Sequence, residues 1–278
     1  MIDHPEDISG LFIITNAPPA PFIPINMVGT LIGVSLLIST QPKERAMELI
    51  RPLKELSNER LDHVDSVPYL AIQTLADPLE PPGLRHHWKS HYVGKLDENA
   101  LFDLIELRRK SPFFMSQIHL EPWGGKIKES NNAFSFKNAE FAINIIGKWT
   151  DEKDDPKNIE WVRSTWNALK KYSIGGGYVN YEGDVNQESF RYSYDQDTYL
   201  KLKEIKRKYD PENFFHNNQN INLRREQILI LFYHLNYKLF LCFIFSRSYF
   251  NRKYCAIYTI CSTMHPNSIF CWKQRLEH

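Results

Sequence analysis

Tyr178 and Tyr181 stand three residues apart in the stretch GGGYVNYEGD (175–184), behind three glycines, with Asn180 between them and acids after. A phenol ionises near pH 10, so a tyrosine handles a proton at neutral pH only with help from a cation or a second partner. Three apart on an extended chain, the two side chains would point to opposite sides and need not share a role. The glycines suit either a plain loop leading to a strand edge or a backbone pressed close to a flat ligand.

Three further stretches hold residues of the right types. In HLEPWGGKI (119–127), Glu121 closes an apolar run just before Pro122 and a Gly-Gly turn. It is either an exposed acid on a strand-turn or a carboxylate at a sheet edge, able to hydrogen-bond a phenol or substrate and tune proton transfer. In NAFSFKNAEFAI (132–143), Phe134 and Phe136 read as core or cleft wall. In YDPENFFHNNQNI (209–221), Pro211 ends a helix, and Asn218 and Asn220 offer amides that alternate in direction if the chain is extended.

The elements that would carry these residues are legible between them. LFIITNAPPAPFIPI reads as an apolar strand and then a proline-broken turn, MVGTLIGVSLLIS as a second strand, and PKERAMELIRPLKEL as a helix with Pro42 in its first turn. LDHVDSVPYLAIQTL suggests a short strand and a short helix, and HYVGKL a strand. DENALFDLIELRRKS is a helix with acids first and bases last, as the macrodipole favours. FFMSQIHLE, GGKIKE and AEFAINIIGKW read as strands. DDPKNIEWVRSTWNALKKYS is an amphipathic helix with Ile159, Val162, Trp166 and Leu169 on one side, and YDQDTYLKLKEIKRKYDP a last helix. The expected fold is α+β: an antiparallel β-sheet covered by helices on one face, with an irregular C-terminal tail.

Composition divides the 278 residues in two. Residues 223–278 hold all four cysteines, eight basic residues and two acidic ones, and lose both helical and strand periodicity. That tail is expected to lie outside the fold, as an appended apolar and basic segment or as read-through past a natural end. Residues 1–222 are net acidic and free of cysteine, which excludes a disulfide framework and a thiolate metal site there. With no basic stripe interleaved with aromatics, a nucleic-acid partner is not expected. No GxxxxGK[ST], HExxH, GxSxG or CxxC motif occurs, so kinase-like, zincin-like and hydrolase readings lose support, and no metal is expected. The start, MIDHPEDISG, is acidic and unlike a signal peptide, which points to a cytoplasmic protein. The stretch 228–246 approaches membrane-spanning length, but His234, Asn236 and Lys238 sit at its centre, and a central Lys costs roughly 2.5–3.5 kcal/mol. A membrane is not an expected partner.

GGGYVNYEGD, a helix, and then KRKYDPENFFHNNQNI (206–221), in that order, resemble the C-terminal signature of the berberine bridge enzyme-like FAD-linked oxidases. EPWGG (121–125) and NAFSFKN (132–138) look like earlier segments of that family, although Phe136-Lys137 stand where its pattern has His-Arg. The resemblance covers most of residues 10–221. It implies FAD as cofactor, a small alcohol or sugar-like substrate, hydride transfer to flavin N5, and oxygen as acceptor. By it, Tyr181 is the general base and Glu121 the acid that assists. Tyr178 and Asn180 would lie against the flavin, the glycines letting the backbone approach its ring, and Asn218 and Asn220 would close near the cofactor.

The resemblance also implies an organisation. Residues 1–177 would be the substrate-binding domain and 178–222 the FAD-contacting segment, with 223–278 the atypical tail. The family's FAD domain would precede residue 1. The chain is therefore expected to be a truncated flavoprotein oxidoreductase, inactive alone and partnered by a separately encoded FAD domain. The alternatives are a non-catalytic small-molecule-binding α+β module on the same scaffold and a membrane-tethered protein.

Overall fold

The structure is a computed structural model. It describes residues 6–20, 23–55, 61–62, 64–129, 133–184, 187–216, 219–221 and 223, together with 257–258 and 274–275. The chain divides into two compact units, Met1–Leu223 and Arg224–His278. In the second, the described residues are two short antiparallel strands, β6 (Ile257–Tyr258) and β7 (Gln274–Arg275). The stretch 228–246 lies outside the described residues, as does most of the expected irregular tail. Among the described residues no helix is long and apolar enough to cross a membrane.

The first unit is α+β. Strands β1 (Ser9–Asn16), β2 (Leu31–Ile38), β3 (Arg85–Val93), β4 (Gln117–Pro122) and β5 (Phe141–Trp149) form one antiparallel sheet in the order β2-β1-β4-β5-β3. Helices α1 (Lys43–Lys54), α2 (Tyr69–Gln73), α3 (Glu98–Arg109), α4 (Lys126–Glu129), α5 (Asp155–Leu169), α6 (Gln187–Tyr192) and α7 (Gln196–Tyr209) complete it.

Alternation along the strands gives the sheet two unlike faces. Ile14, Ile118, Leu120, Ile143, Ile145 and Val93 point to one side and pack with Leu104 of α3 and Trp161, Val162 and Leu169 of α5. Burial of this kind stabilises by about 25 cal/mol per Å² of apolar surface. The helices are placed by their own ends. Asp97 caps α3 by accepting from Ala100 N at 2.9 Å, and Asp195 caps α7 by accepting from Thr198 N at 2.8 Å. Each such cap contributes ~1 kcal/mol.

Four expected elements differ. GGKIKE is the short helix α4, not a strand. Pro122 ends β4 without an N–H for the ladder, and Gly125, at φ +55°, reverses the chain. Among residues 61–68 the described ones form no strand; they are exposed, and Asp62, Asp65 and Pro68 interrupt any alternation. On α5 the buried stripe is Asn158, Trp161, Val162, Thr165 and Leu169, so Trp161 takes the core place expected of Ile159. β3 also starts earlier than HYVGKL suggested, because Arg85 to Ser90 pair with Trp149 to Asn144 of β5.

Candidate active site on the open face

The other face of the sheet is polar and aromatic. Its inter-strand register aligns Tyr92, Ala142 and Glu121 in one row, and Ser90, Asn144 and His119 in the next. Trp88 of β3 stands beyond them, opposite Ile146. Residues 174–183 run along the edge strand β3 and lean over this face.

The glycines make that path possible, against protein. Gly175 and Gly176 have φ of +106° and +72°, and a Cβ on Gly176 would lie 2.1 Å from the Phe136 ring. A Cβ on Gly177 would lie 2.5 Å from Ser90 O. The flat group beside Gly175 and Gly176 is Phe136, and the β3 backbone lies beside Gly177. Val179–Tyr181 then forms a single 3₁₀ turn, with Tyr181 N donating to Tyr178 O at 2.8 Å. Residues three apart eclipse in such a turn. Tyr178 and Tyr181 accordingly stand on the same side, their rings 5.0 Å apart and edge-on, which corrects the opposed placement expected of an extended chain.

Tyr181 and Glu121 meet across 60 residues of sequence: the phenol donates to Glu121 Oε2 at 3.2 Å. Both are half-buried. Burial pushes the Glu121 carboxyl up from its ordinary value, although hydrogen bonds from Tyr181 and Asn144 oppose it. Burial first, and then the Glu121 charge, push the Tyr181 phenol well above the ordinary tyrosine range. The pair thus shares one proton readily and bears a second negative charge poorly.

His119 adjoins the pair and carried no signal in the sequence beyond standing two residues before Glu121. Its Nε2 lies 2.7 Å from Gln117 Oε1, an acceptor, so Nε2 bears the proton. Nδ1 is left as an acceptor 4.0 Å from Glu121 Oε1. Burial, and next the charge of Lys148, hold His119 neutral, with its pKa lowered to about 4.

Aromatic rings flank the phenol. Trp88 lies 5.6 Å from Tyr181 on one side. Beyond Tyr178, Trp123 follows at 6.3 Å and Phe134 stacks on Trp123 at 5.4 Å. Asn180 is exposed and donates to the Tyr178 hydroxyl at 2.9 Å. Phe134 and Phe136 wall the aromatic cluster, as expected. Asn220 is half-buried, and Asn218 lies outside the described residues. A separate groove of about 390 Å³ is lined by Phe136, Gly175, Gly176, Arg191, Tyr192 and Tyr194; it includes neither Tyr181 nor Glu121.

The wall offers aromatic surface of the kind on which a planar ring stacks. Tyr178 offers a half-exposed ring, and Asn180 an exposed amide beside it. The motifs that cradle a pyrophosphate, a glycine-rich turn opening a helix, are not found in the sequence. Among the described residues no cluster of His, Cys, Asp or Glu could hold a metal.

Comparison with known proteins agrees with this architecture. Residues 177–222 match the family model described as "Berberine and berberine like". The chain is 25% identical over 193 residues to an FAD-linked oxidoreductase of Dictyostelium discoideum, covering 68% of this chain and 42% of that protein. It is 27% identical over 161 residues to a tetrahydroberberine oxidase of Berberis wilsoniae, covering 51% and 30%. Its fold is shared with 6-hydroxy-D-nicotine oxidase from Arthrobacter nicotinovorans (TM-score 0.63, 19% identity, 79% of this chain and 49% of that one). It is shared too with a berberine bridge enzyme-like protein of Physcomitrella patens (TM-score 0.62, 16% identity, 78% and 47%). The match to the family model is confined to residues 177–222, and over a longer stretch the chain is similar in sequence to the FAD-linked oxidoreductase named here. The chain spans less than half the length of the curated relatives named here.

Proposed function

We propose that this chain forms the substrate-facing wall of an FAD-linked oxidoreductase that oxidises a small alcohol or sugar-like molecule in the cytoplasm. The observation that carries the reading is the Tyr181–Glu121 hydrogen bond, set on the open face between flanking rings. FAD, when bound beside Tyr178 and Asn180, would supply a hydride acceptor at N5, with oxygen as the final acceptor of the electrons.

The residues of this chain handle the proton. The substrate hydroxyl gives its proton to the Tyr181 oxygen while Tyr181 passes its own to Glu121. The phenol never bears a full negative charge beside the carboxylate, which the raised pKa of both groups would oppose. Neutral His119 keeps a positive charge away from the carboxylate, so that Glu121 keeps its raised pKa and its capacity to accept. Tyr178 and Asn180, with Asn218 and Asn220, would lie against the flavin ring. Residues 1–177 would hold the substrate and 178–222 the cofactor's edge. The rest of the FAD site would come from a flavin domain outside the described residues, without which this chain does not turn over.

The test supplies that domain. The full chain is combined with FAD and the flavin domain of the Dictyostelium relative, and alcohols are added without oxygen. Bleaching of the flavin absorbance is expected, slowed ~10²-fold or more in Tyr181→Phe, with substrate binding little changed. A bound flavin that no alcohol bleaches favours the non-catalytic binding module. Bleaching indifferent to both Tyr181→Phe and Glu121→Gln removes the pair from the reaction.

A further inference from the structure

The turn that carries Tyr181 is held from beneath the sheet. Ile174 N donates to Tyr92 O at 3.0 Å, Tyr92 N to Gly176 O at 3.1 Å, and Gly183 N to Trp88 O at 2.7 Å, so both ends of the turn lie along the edge of β3. Tyr178 N donates to Ser90 Oγ at 2.8 Å. Between these anchors Tyr178 and Tyr181 rise to the open face, while Glu182 and Asp184 pass to the helix-covered one. There they close on Lys89, whose ammonium lies 2.8 Å from Glu182 Oε1 and 3.0 Å from Asp184 Oδ2.

The cluster is charge-balanced, and its Lys89–Glu182 centre is buried. Arg163 of α5 reaches Asp184 Oδ1 at 2.5 Å, so two cations face two carboxylates. Lys89 and Glu182 side chains are 7% and 6% exposed, and the ammonium sits 4.7 Å over the Trp166 ring, with Lys170 on the same ring at 5.9 Å. His87 Nε2 is 3.6 Å from Asp184, and burial lowers its pKa, leaving it uncharged. Burial would raise the Asp184 carboxyl, but hydrogen bonds from Arg163 and Lys89 overcome it and hold the group at about 2. The cluster reaches the Tyr181–Glu121 pair through the chain itself, since Glu182 is the next residue after Tyr181.

We propose that Lys89 is a positioning residue for Tyr181: by gripping Glu182 and Asp184 on the covered face, it sets the height of the 3₁₀ turn and with it the contact between the phenol and Glu121. A buried ammonium with two partners in different directions has a steep dependence on position, unlike an exposed pair. A misplacement of about 1 Å at a reacting group can cost ~10²-fold in rate. The assignment rests on the proton-handling reading of Tyr181, but the grip is measurable without flavin or turnover.

The experiment uses the full chain with ¹³C-labelled tyrosine, taking the Tyr181 phenol signal as that lost in Tyr181→Phe, and the infrared band of Glu121 as that lost in Glu121→Gln. In Lys89→Met the phenol signal should move toward that of free tyrosine and the carboxyl band toward that of a solvated carboxylate. Lys89→Arg should restore both. Val162→Ala, a core truncation on the same face, should lower the unfolding midpoint and leave both signals in place. Should Lys89→Met fail to fold, Glu182→Gln reads the same grip with the ammonium retained, and should shift both signals part of the way. Unmoved signals in a folded Lys89→Met or Glu182→Gln protein, or an equal shift in Val162→Ala, overturn the proposal. If the signals move but flavin bleaching ignores Tyr181, the grip stands and the proton reading falls.

Discussion

The two faces of the sheet are made by alternate residues of the same strands, and they are built on opposite principles. On the covered face Ile118, Ile143 and Ile145 are wholly buried against Leu104 and Val162. On the open face, one residue along each strand, stand His119, Glu121 and Asn144, with a phenol brought to them from 60 residues away. The first face gains stability by removing apolar surface from water. The second keeps ionisable groups half-buried at a cost, which is where shifted pKa values and chemistry tend to coincide. The lesson is that one edge strand, β3, serves both: Lys89 points down and Trp88 and Ser90 up, and the loop wraps both sides of it.

If the faces divide stability from chemistry in this way, truncating the covered face should do the most damage. Ile145→Ala is expected to cost about 2–5 kcal/mol in denaturant unfolding, and a cost below about 1 kcal/mol would show a loosely packed core. Acid should act next, and on both faces. His91 on the covered face is held by Trp166 O at 2.8 Å and by the Tyr192 hydroxyl at 2.9 Å, with burial the main cause of a pKa of about 4. His119 on the open face is lowered to about 4 as well. Both folded values lie below the unfolded value near 6.5. Their stabilising contribution is therefore full above about pH 6.5 and is lost as pH falls through 4, on the order of 3 kcal/mol each. Unfolding midpoints measured across that window should fall steeply in the wild type and about half as steeply in His119→Gln; equal slopes would deny the open face its share.

The loop at the shared edge should respond less. Gly177→Ala places a Cβ on the Ser90 carbonyl and is expected to cost about 1–3 kcal/mol, read by thermal unfolding. The smallest effects belong to the site itself. Tyr181→Phe removes one hydrogen bond and should change stability by about 0.5–1.5 kcal/mol. Glu121→Gln should be neutral or stabilising. The folded-state carboxyl is raised, so the wild type loses stability as pH rises from the usual carboxylate range through the raised value, and the amide does not. A stability curve of Glu121→Gln that parallels the wild type over that range would show that burial does not oppose the charge.

Much of this was readable in advance. The helix at Glu98–Arg109 showed in its acids-first, bases-last order, and that at Asp155–Leu169 in its apolar period. Glu121 and Tyr181 stood out because each sits beside glycines in a motif whose order is family-like. Lys89 and His91 did not: a lysine and a histidine in a strand look like a solvated face until α5 and the loop 182–184 are laid over them. The shared side of Tyr178 and Tyr181 was equally hidden, since a period of two and a period of three differ only in the backbone path.

The sequence by itself determined the chemistry at hand: a tyrosine, a glutamate, glycines that allow a bent path, and strands and helices of alternating and helical period. Local preferences and side-chain types are properties of the chain. Only the tertiary structure decided that the phenol meets Glu121, that the glycines rest on Phe136 and β3, and that Lys89 grips the same loop from the far face. Those are distances between residues remote in sequence, set by strand register and by which surface α5 covers, and no local preference encodes them.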